Sequence, residues 1–351
     1  MMLPLPEPPR SLCILRLSAI GDACHVVPVV RTLQQAWPAT QLTWIIGRNE
    51  ARLMRLLDGV EFITLEKRLR PGTLTALRAA LAGRRFEVLL HMQLALRASL
   101  VASCVAARVK LGFDRARARE LQWLFTNARI AARTREHVLD SFFGFPAALG
   151  ISERLLRWDL RLPPEAQAYA QRLIPDSQPT LVISPCSSHP LRNWRPERYA
   201  AIAAYAAARH GMRVILAGGP SESERLMGAA IARACPVPLV NQIGQDTLPE
   251  LLALLARARV LLTPDSGPAH MATMVGTPVI GLYAATNPAR SGPYLSGRWC
   301  VDAYPEAART FRGCEPEELP WTHKIEEPGV MDLIRIEQVT GRLDELLGSQ
   351  A

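Results

Sequence analysis

Short apolar runs alternate with amphipathic stretches along most of the chain. The first run, residues 12–17, is bounded by turn residues and predicts a buried strand, and residues 23–36 follow it as a helix. Further strands are predicted at 42–46, 62–65 and 86–92, and further helices at 50–57, 94–107 and 137–149. Strands that alternate with helices indicate a parallel sheet covered on both faces.

The same alternation restarts after a proline-containing stretch, residues 151–179, which is typical of a linker with one short helix. The second series has predicted strands at 180–184, 213–217, 260–263 and 278–283, and predicted helices at 196–210, 222–234 and 248–256. We therefore expect two doubly wound α/β domains, residues 1–165 and 166–330. The remaining residues, 331–351, contain a terminal helix at about 331–347.

One turn in the second series has the composition of a phosphate site. Residues 264–268, which include Asp265, Ser266, Gly267 and Pro268, join a strand to a helix that is predicted to begin at Ala269. Asp265 or Ser266 is the expected cap. A helix N-terminus at the carboxyl end of a strand is where α/β proteins bind phosphate. An ordinary connection without a ligand is equally compatible with this spacing.

Composition narrows the class of protein. With 351 residues, of which 49% are hydrophobic, the chain is long enough for two globular domains. The first ten residues lack the features of a signal peptide, and the apolar stretch 88–109 is too interrupted by polar residues to span a bilayer. Seven scattered cysteines without a C-x-x-C pair argue against a disulfide framework or a zinc site and suit a reducing cytoplasm.

Positive charge is concentrated in one region. Residues 66–135 hold 15 Lys and Arg against 4 Asp and Glu, a local excess of +11, while the whole chain carries +9. Such a field attracts an anionic partner or an anionic membrane face. Nucleic acid is the competing partner, but the region has neither interleaved aromatic residues nor a known nucleic-acid motif. Solvated helix faces would explain part of the excess.

Two motifs carry a resemblance to a known family. Residues 265–283, DSGPAHMATMVGTPVIGLY, resemble a signature of the ADP-heptose:lipopolysaccharide heptosyltransferases, the ninth glycosyltransferase family. Residues 15–28, LRLSAIGDACHVVP, resemble the family's amino-terminal R-x-S-x-[IL]-GD-xxHxxP motif. The resemblance implies the GT-B architecture, with two Rossmann-like domains facing each other across a cleft. It also suggests that the terminal helix packs back on the first domain.

Asp22 is the predicted catalytic residue. An Asp at the start of a helix is often only a cap. However, this position matches the family's general base, and inverting transfer needs a base that takes the proton of the acceptor hydroxyl. The resemblance therefore favours a catalytic role.

The leaving diphosphate needs positive charge or hydrogen-bond donors. No D-x-D triplet occurs in the chain, so we expect neither a metal nor a cofactor, and side chains and helix termini must stabilise the leaving group. The segment CSSHPLRNW resembles the family's phosphate-binding segment, with Ser187, Ser188 and Arg192 as candidates. The turn residues Asp265 to Pro268 and His270, which is alternatively structural, complete this set.

A ribose-binding acid is implied after the Gly218–Gly219 turn. Glu222 fits best, although Glu224 is two residues away and either one would also complement the dipole of the following helix. The turn lacks the G-x-G-x-x-G fingerprint, so a nicotinamide site is not expected.

The basic region resembles the acceptor side of the heptosyltransferase I group. The predicted acceptor-binding residues are Lys67, Arg68, Arg70, Gln93, Arg97, Arg119 and His137. Arg119 belongs to a G-x-D…RE segment that begins at Gly112. Arginines of this kind would hold the carboxylates of Kdo and the phosphates of lipid A.

These features lead to one functional prediction with two alternatives. We expect a heptosyltransferase that transfers L-glycero-D-manno-heptose from ADP-heptose to Kdo of the lipopolysaccharide inner core. Its expected place is the cytoplasmic face of the inner membrane, with ADP-heptose, Kdo-lipid A and the anionic membrane surface as partners and no nucleic acid. The alternatives are a relative with another acceptor, such as phosphorylated Kdo or heptose, or another donor sugar, and a non-catalytic nucleotide-binding protein.

Overall fold

The computed structural model describes residues 3–66 and 68–349, which divide into two compact units between Arg161 and Leu162. The predicted division lay four residues later. The short helix after this point, α6 (Pro164–Leu173), belongs to the second unit, where it packs on α9 (Leu248–Arg257). Among the described residues, no helix is long and apolar enough to cross a membrane.

Among the described residues of the first unit, six parallel strands form one sheet, in the order β3-β2-β1-β4-β5-β6. These strands are β1 (Ser11–Leu15), β2 (Gln41–Gly47), β3 (Val60–Leu65), β4 (Phe86–His91), β5 (Ala107–Gly112) and β6 (Ala128–Arg129). The helices are α1 (Ile20–Ala36), α2 (Arg48–Met54), α3 (Thr73–Ala80), α4 (Leu96–Ser103) and α5 (Val138–Leu149).

The register of the first sheet identifies its switch point. Leu12 of β1 pairs with Leu42 of β2 on one side and with Val88 of β4 on the other. The strand order therefore reverses between β1 and β4. In open α/β sheets, ligands bind at the carboxyl ends of the strands beside such a reversal. The loops after β1 and β4 are consequently the expected binding edge of this unit.

The described residues of the second unit repeat the arrangement, with six strands in the order β12-β11-β10-β7-β8-β9. They are β7 (Thr180–Ile183), β8 (Arg213–Leu216), β9 (Val240–Asn241), β10 (Val260–Pro264), β11 (Val279–Tyr283) and β12 (Val301–Asp302). The remaining helices are α7 (Pro196–His210), α8 (Glu222–Ala234), α10 (Gly267–Met274), α11 (Pro288–Ser291), α12 (Tyr304–Arg312) and α13 (Ile336–Gly348). Leu181 of β7 pairs with Val260 of β10 and Val214 of β8, so this sheet reverses between β7 and β10.

The central strands of both units are buried on both faces. In the first unit Trp44 of β2 is fully buried, and its indole N–H donates to the Arg16 carbonyl (3.1 Å), so the side chain also fixes the chain after β1. In the second unit Trp194 packs edge-on against Tyr199 at 5.3 Å and donates to the Ile334 carbonyl (3.1 Å). Because their polar N–H groups are satisfied, both indoles stabilise the fold through burial.

The terminal helix packs on the second unit. Its apolar side chains Val339, Leu343 and Leu346 are buried in the core of the second unit, where α13 packs on α7. The Asp344 carboxylate accepts a hydrogen bond from the Tyr205 hydroxyl (2.8 Å) and lies 2.7 Å from His210 Nε2, and both partners are on α7. The apolar face of α13 is thus used within the second unit. The expected contact of this helix with the first domain stays a prediction.

Two predictions of local structure were wrong. The helix expected at 94–107 ends at Ser103, and its last predicted residue, Ala107, begins strand β5. The turn expected at 264–268 is shorter, because α10 already begins at Gly267 and Pro268 lies in its first turn. Proline is favoured there, since the first amides of a helix have no partner within the helix.

Candidate functional site

Asp22 lies in the first turn of α1, directly after the β1 edge at the switch point of the first sheet. The helix is capped at Ala19 without a side-chain hydrogen bond, so Asp22 does not serve as its N-cap. Its carboxylate instead forms an ion pair with Arg16. The Asp22 side chain keeps 31% of its exposure, which leaves it accessible to a substrate.

Arg16 holds this carboxylate from a nearly buried position. Its side chain is 12% exposed, and its second terminal nitrogen donates to the Met92 carbonyl (2.6 Å), just after β4. The guanidinium also lies 5.3 Å from the centre of the Phe142 ring. Arg16 is the arginine of the amino-terminal motif, but no role was predicted for it. A charged residue next to a buried strand was the available signal.

Gln93 lies at the same edge, but its side chain is buried and bonded to neighbouring loops. It is 8% exposed, its amide oxygen accepts from the Leu17 amide (2.7 Å), and its amide nitrogen lies 3.4 Å from the Ser18 hydroxyl. Fully buried Gln122 in turn donates to the carbonyls of His91 and Gln93. These bonds fix the loop before α1, so the structure gives Gln93 a supporting position beside Asp22.

His137 is the N-cap of α5, where its Nδ1 accepts from the Leu139 amide (3.1 Å). Its ring meets the His25 ring edge-on at 5.2 Å, and His25 is buried one turn after Asp22 on α1. The contact between α1 and α5 thus places His137 near the candidate base.

The predicted acceptor arginines follow the carboxyl ends of strands, on loops in three cases and in the first turn of a helix for Arg97. Arg68 and Arg70 are exposed after the outer strand β3, Arg97 is half-buried at the start of α4, and Arg119 is exposed after β5. Lys67 lies outside the described residues. Gln93 and Arg97 thus follow β4, which is the neighbour of β1 at the switch point, and Arg119 follows the next strand, β5. Arg68 and Arg70 follow a strand at the margin of the sheet.

The loop that carries Arg119 is held by acidic residues. Asp114 is 5% exposed, accepts from the amides of Ala116 and Arg117, and pairs with the Arg117 guanidinium. Arg117 also contacts Glu136 (3.0 Å). The Asp of the G-x-D…RE segment is therefore structural, and it leaves Arg119 at the surface.

In the second unit, two distant segments meet at the switch point. The Ser187 hydroxyl, after β7, donates to the Asp265 carbonyl (2.7 Å), after β10. Ser266 is the N-cap of α10, and its hydroxyl bonds with that of Thr263 (2.8 Å), while Ser188 is exposed. The amides at the start of α10, beginning with Gly267, and these hydroxyls form one polar edge suited to phosphate.

His270 lies in this helix and is 7% exposed. Pro268 is in the first turn of α10, where a backbone N–H group would have no partner within the helix, so the missing N–H of proline costs nothing.

Arg192, the predicted diphosphate cation, is 9% exposed and is already paired. Its guanidinium contacts Glu326 at 2.5 Å and Asp265 at 3.3 Å. Burial and the nearby Arg192 charge lower the pKa of Lys324, which is a second cation beside this cluster. The two carboxylates hold the Arg192 guanidinium in a fixed position. Glu326 lies 134 residues from Arg192 in the sequence, and its role was not predicted.

The carboxylate that contacts the Gly218–Gly219 turn belongs to Glu224 and not to Glu222. The Glu224 carboxylate accepts from the Gly219 amide and from the Ser221 hydroxyl (3.0 Å), whereas Glu222 is exposed. A Cβ atom on Gly219 would lie 2.8 Å from the Glu224 carboxylate, so a larger residue there would displace this carboxylate. The acid at the turn is therefore two residues later than the one that fitted best in the sequence.

Among the described residues there is no cluster of three or more His, Cys, Asp or Glu side chains suited to a metal ion. The model of glycosyltransferase family 9 (heptosyltransferase) matches residues 74–318. The chain belongs to this family. It is thus a glycosyltransferase, as the two sequence motifs predicted.

Individual family members agree with this assignment. The chain is 38% identical to the lipopolysaccharide core heptosyltransferase OpsX of Haemophilus influenzae, over 97% of this chain and 98% of the relative. It is 24% identical to lipopolysaccharide heptosyltransferase 1 of Escherichia coli K12, over 80% and 90% of the two chains.

The solved structure of Escherichia coli heptosyltransferase WaaC with ADP covers 96% of this chain and 99% of its own, with a TM-score of 0.73 and 21% identity. This likeness, together with the two parallel sheets, confirms the predicted two-domain GT-B-like α/β fold.

Proposed function

We propose that this family member transfers L-glycero-D-manno-heptose from ADP-heptose to Kdo of the lipopolysaccharide inner core. The names of its relatives support lipopolysaccharide as the product, and the ADP named with the WaaC structure supports an adenine nucleotide donor. The observation that carries the proposal is the accessible, arginine-held Asp22 carboxylate at the switch point of a basic unit.

In the proposed reaction, Asp22 accepts the proton of an acceptor hydroxyl while that oxygen forms a bond to the anomeric carbon of heptose. The bond from this carbon to the diphosphate oxygen breaks on the opposite face, and ADP leaves with the electron pair. Arg16 keeps the carboxylate oriented and hydrogen-bonded on one oxygen, which leaves the other for the acceptor.

The second unit supplies the donor side of the proposal. The hydroxyls of Ser187 and Ser188, the first amides of α10 and the charge of Arg192 would stabilise the departing diphosphate. Glu224 would accept a hydrogen bond from a ribose hydroxyl near the glycine turn. The cation at Arg192 is offset by Asp265 and Glu326, so much of the stabilisation would fall on neutral donors. We expect no metal requirement.

The acceptor is proposed to bind through the exposed arginines at the edge of the first sheet. Kdo and lipid A carry carboxylates and phosphates, which guanidinium groups bind with paired, charge-assisted hydrogen bonds. Because that acceptor is a lipid, we place the enzyme on the cytoplasmic face of the inner membrane.

Transfer to a defined acceptor tests the proposal. The purified protein, incubated with ADP-heptose and deacylated Kdo-lipid A, should release ADP and add one heptose to the acceptor, as mass spectrometry would show. A parallel reaction with phosphorylated Kdo tests the alternative acceptor, and Asp22→Ala provides the inactive control. Nucleotide binding without transfer to either acceptor would instead indicate a non-catalytic nucleotide-binding protein.

A further inference from the structure

Exposed apolar side chains are concentrated on one part of the first unit. Among the described residues, nine large hydrophobic side chains are exposed, and five of these belong to two segments that are close in space. We call this set the apolar face: Leu96, Leu100, Leu121, Trp123 and Leu124. The other four are dispersed along the chain. Contiguous exposed apolar surface marks an interaction site more often than single residues do.

A hydrogen bond joins the two segments of the apolar face. The Glu120 carboxylate accepts from the Leu96 amide (2.5 Å), at the first residue of α4. Leu100 lies one turn further along the same helix, whose opposite side, with Ala98 and Val101, is buried against the sheet. The outer side of α4 thus carries leucines where a water-facing helix normally has polar residues.

The loop segment is held in a defined conformation. Glu120 and Leu121 have φ angles of 49° and 61°, in the left-handed region that residues other than glycine rarely adopt. The bond from Glu120 and the buried Gln122 side chain, which donates to the carbonyls of His91 and Gln93, maintain this turn. As a result Leu121 and Leu124 stay 52% and 59% exposed on a fixed support.

Positive charge surrounds the apolar face. The Arg115 guanidinium lies 5.1 Å from the centre of the Trp123 ring, Arg97 follows Leu96, and Arg119 precedes the turn. The sequence around them, residues 66–135, carries an excess of +11. Apolar side chains within a basic surround match an anionic bilayer, where the apolar groups enter the acyl boundary and the cations meet lipid phosphates.

We propose that the apolar face inserts into the surface of an anionic lipid bilayer and anchors the enzyme there. The proposal rests on the lipid acceptor of the proposed function. It also explains why Arg97 and Arg119, as acceptor-binding candidates, lie beside exposed leucines and a tryptophan. An inserted face would hold the carboxyl edge of the first sheet next to the headgroups, where a lipid-anchored sugar acceptor is displayed.

Vesicle binding tests the proposal with a matched pair of variants. Leu121→Ser/Leu124→Ser removes two leucines from the apolar face, whereas Leu226→Ser/Leu295→Ser removes two leucines that are 64% and 56% exposed elsewhere. Flotation with vesicles of phosphatidylethanolamine and phosphatidylglycerol should show a partition coefficient roughly 30-fold lower for the first variant, from the lost burial of two leucines. The control should change less than about twofold, and phosphatidylcholine vesicles should bind the native protein weakly.

Fluorescence and activity separate this proposal from the proposed function. The emission that distinguishes the native protein from Trp123→Phe should shift to shorter wavelength with anionic vesicles. Leu121→Ser/Leu124→Ser should keep native transfer to deacylated acceptor but lose transfer to acceptor embedded in vesicles. Equal vesicle binding by both double variants would overturn the membrane proposal, as would self-association that the first variant abolishes. Absence of transfer to soluble acceptor by the native protein would instead overturn the proposed function.

Discussion

Asp246 is a buried acid whose ionisation should lower the free energy of unfolding. It lies between β9 and α9, and its Oδ2 atom is buried without a hydrogen-bond partner. Burial, aided by the neighbouring carboxylates Glu250 and Glu224, raises the pKa of Asp246 from 3.8 to about 7. The side chain is thus held protonated at pH values at which an exposed aspartate is ionised.

Asp246 releases its proton at different pH values in the unfolded and the folded chain. In the unfolded chain Asp246 loses its proton near pH 4, whereas in the folded chain it keeps the proton until about pH 7. Between these values the folded state binds more protons, so the free energy of unfolding falls as the pH rises. The difference between the two pKa values, at about 1.4 kcal/mol per pH unit, sets a cost of at most about 4 kcal/mol above pH 7. Solvent near the other oxygen would reduce this cost.

Asp246→Asn keeps the shape of the side chain and removes the titration. We expect the variant to be more stable than the native protein at pH 8, by up to about 4 kcal/mol, and to differ little at pH 4. Unfolding by urea is measured across this pH range. Pulsed hydrogen exchange in peptides of α9 reports the unfolding of the second unit separately from that of the first. Glu197→Gln, which removes an exposed carboxylate from α7, is the control. Parallel pH profiles for native protein and Asp246→Asn would refute the reasoning.

Three further predictions concern the first unit. Asp22→Asn should remain folded but lose at least about 100-fold in kcat, the low end for a general base, and near-native turnover would remove Asp22 from the mechanism. Arg16→Met, which breaks the Asp22 pair and the bond to the Met92 carbonyl, should cost about 3 kcal/mol in chemical unfolding and also lower kcat, while unchanged kcat would show that Asp22 needs no support. Arg119→Glu should raise the acceptor KM much more than the ADP-heptose KM in initial-rate assays, and an equal rise in both would argue against an acceptor role.

The sequence predicted elements best where both ends carry clear signals. The helices α7 and α8 have the predicted bounds, because both ends of each carry a signal. Helix α7 begins at a proline and ends before a glycine, and α8 follows a serine that caps it. Strand β5 was missed since the alanine-rich run before it continues without a breaker. The packing of α13 was beyond sequence reasoning, because an apolar helix face does not specify which domain will cover it.

The residues of the candidate site were likewise predicted only in part. Motifs indicated Asp22, Ser187 and the turn before α10, and the fold places each at a switch point of its own sheet. Their partners were not predicted. Arg192 and Glu326 are 134 residues apart, and only folding brings such charges together. Glu224 was separated from Glu222 only by the backbone path of the glycine turn, which the sequence leaves in two possible registers.

A crystal structure of the protein with a donor analogue and a Kdo-containing acceptor fragment tests the central claim most directly. The measured quantity is the distance from the Asp22 carboxylate to the acceptor hydroxyl that faces the anomeric carbon. We predict hydrogen-bond distance, about 2.6 to 3.2 Å, with the diphosphate on the opposite side of that carbon, against α10. An acceptor hydroxyl facing another base, with Asp22 remote from both substrates, would contradict the account.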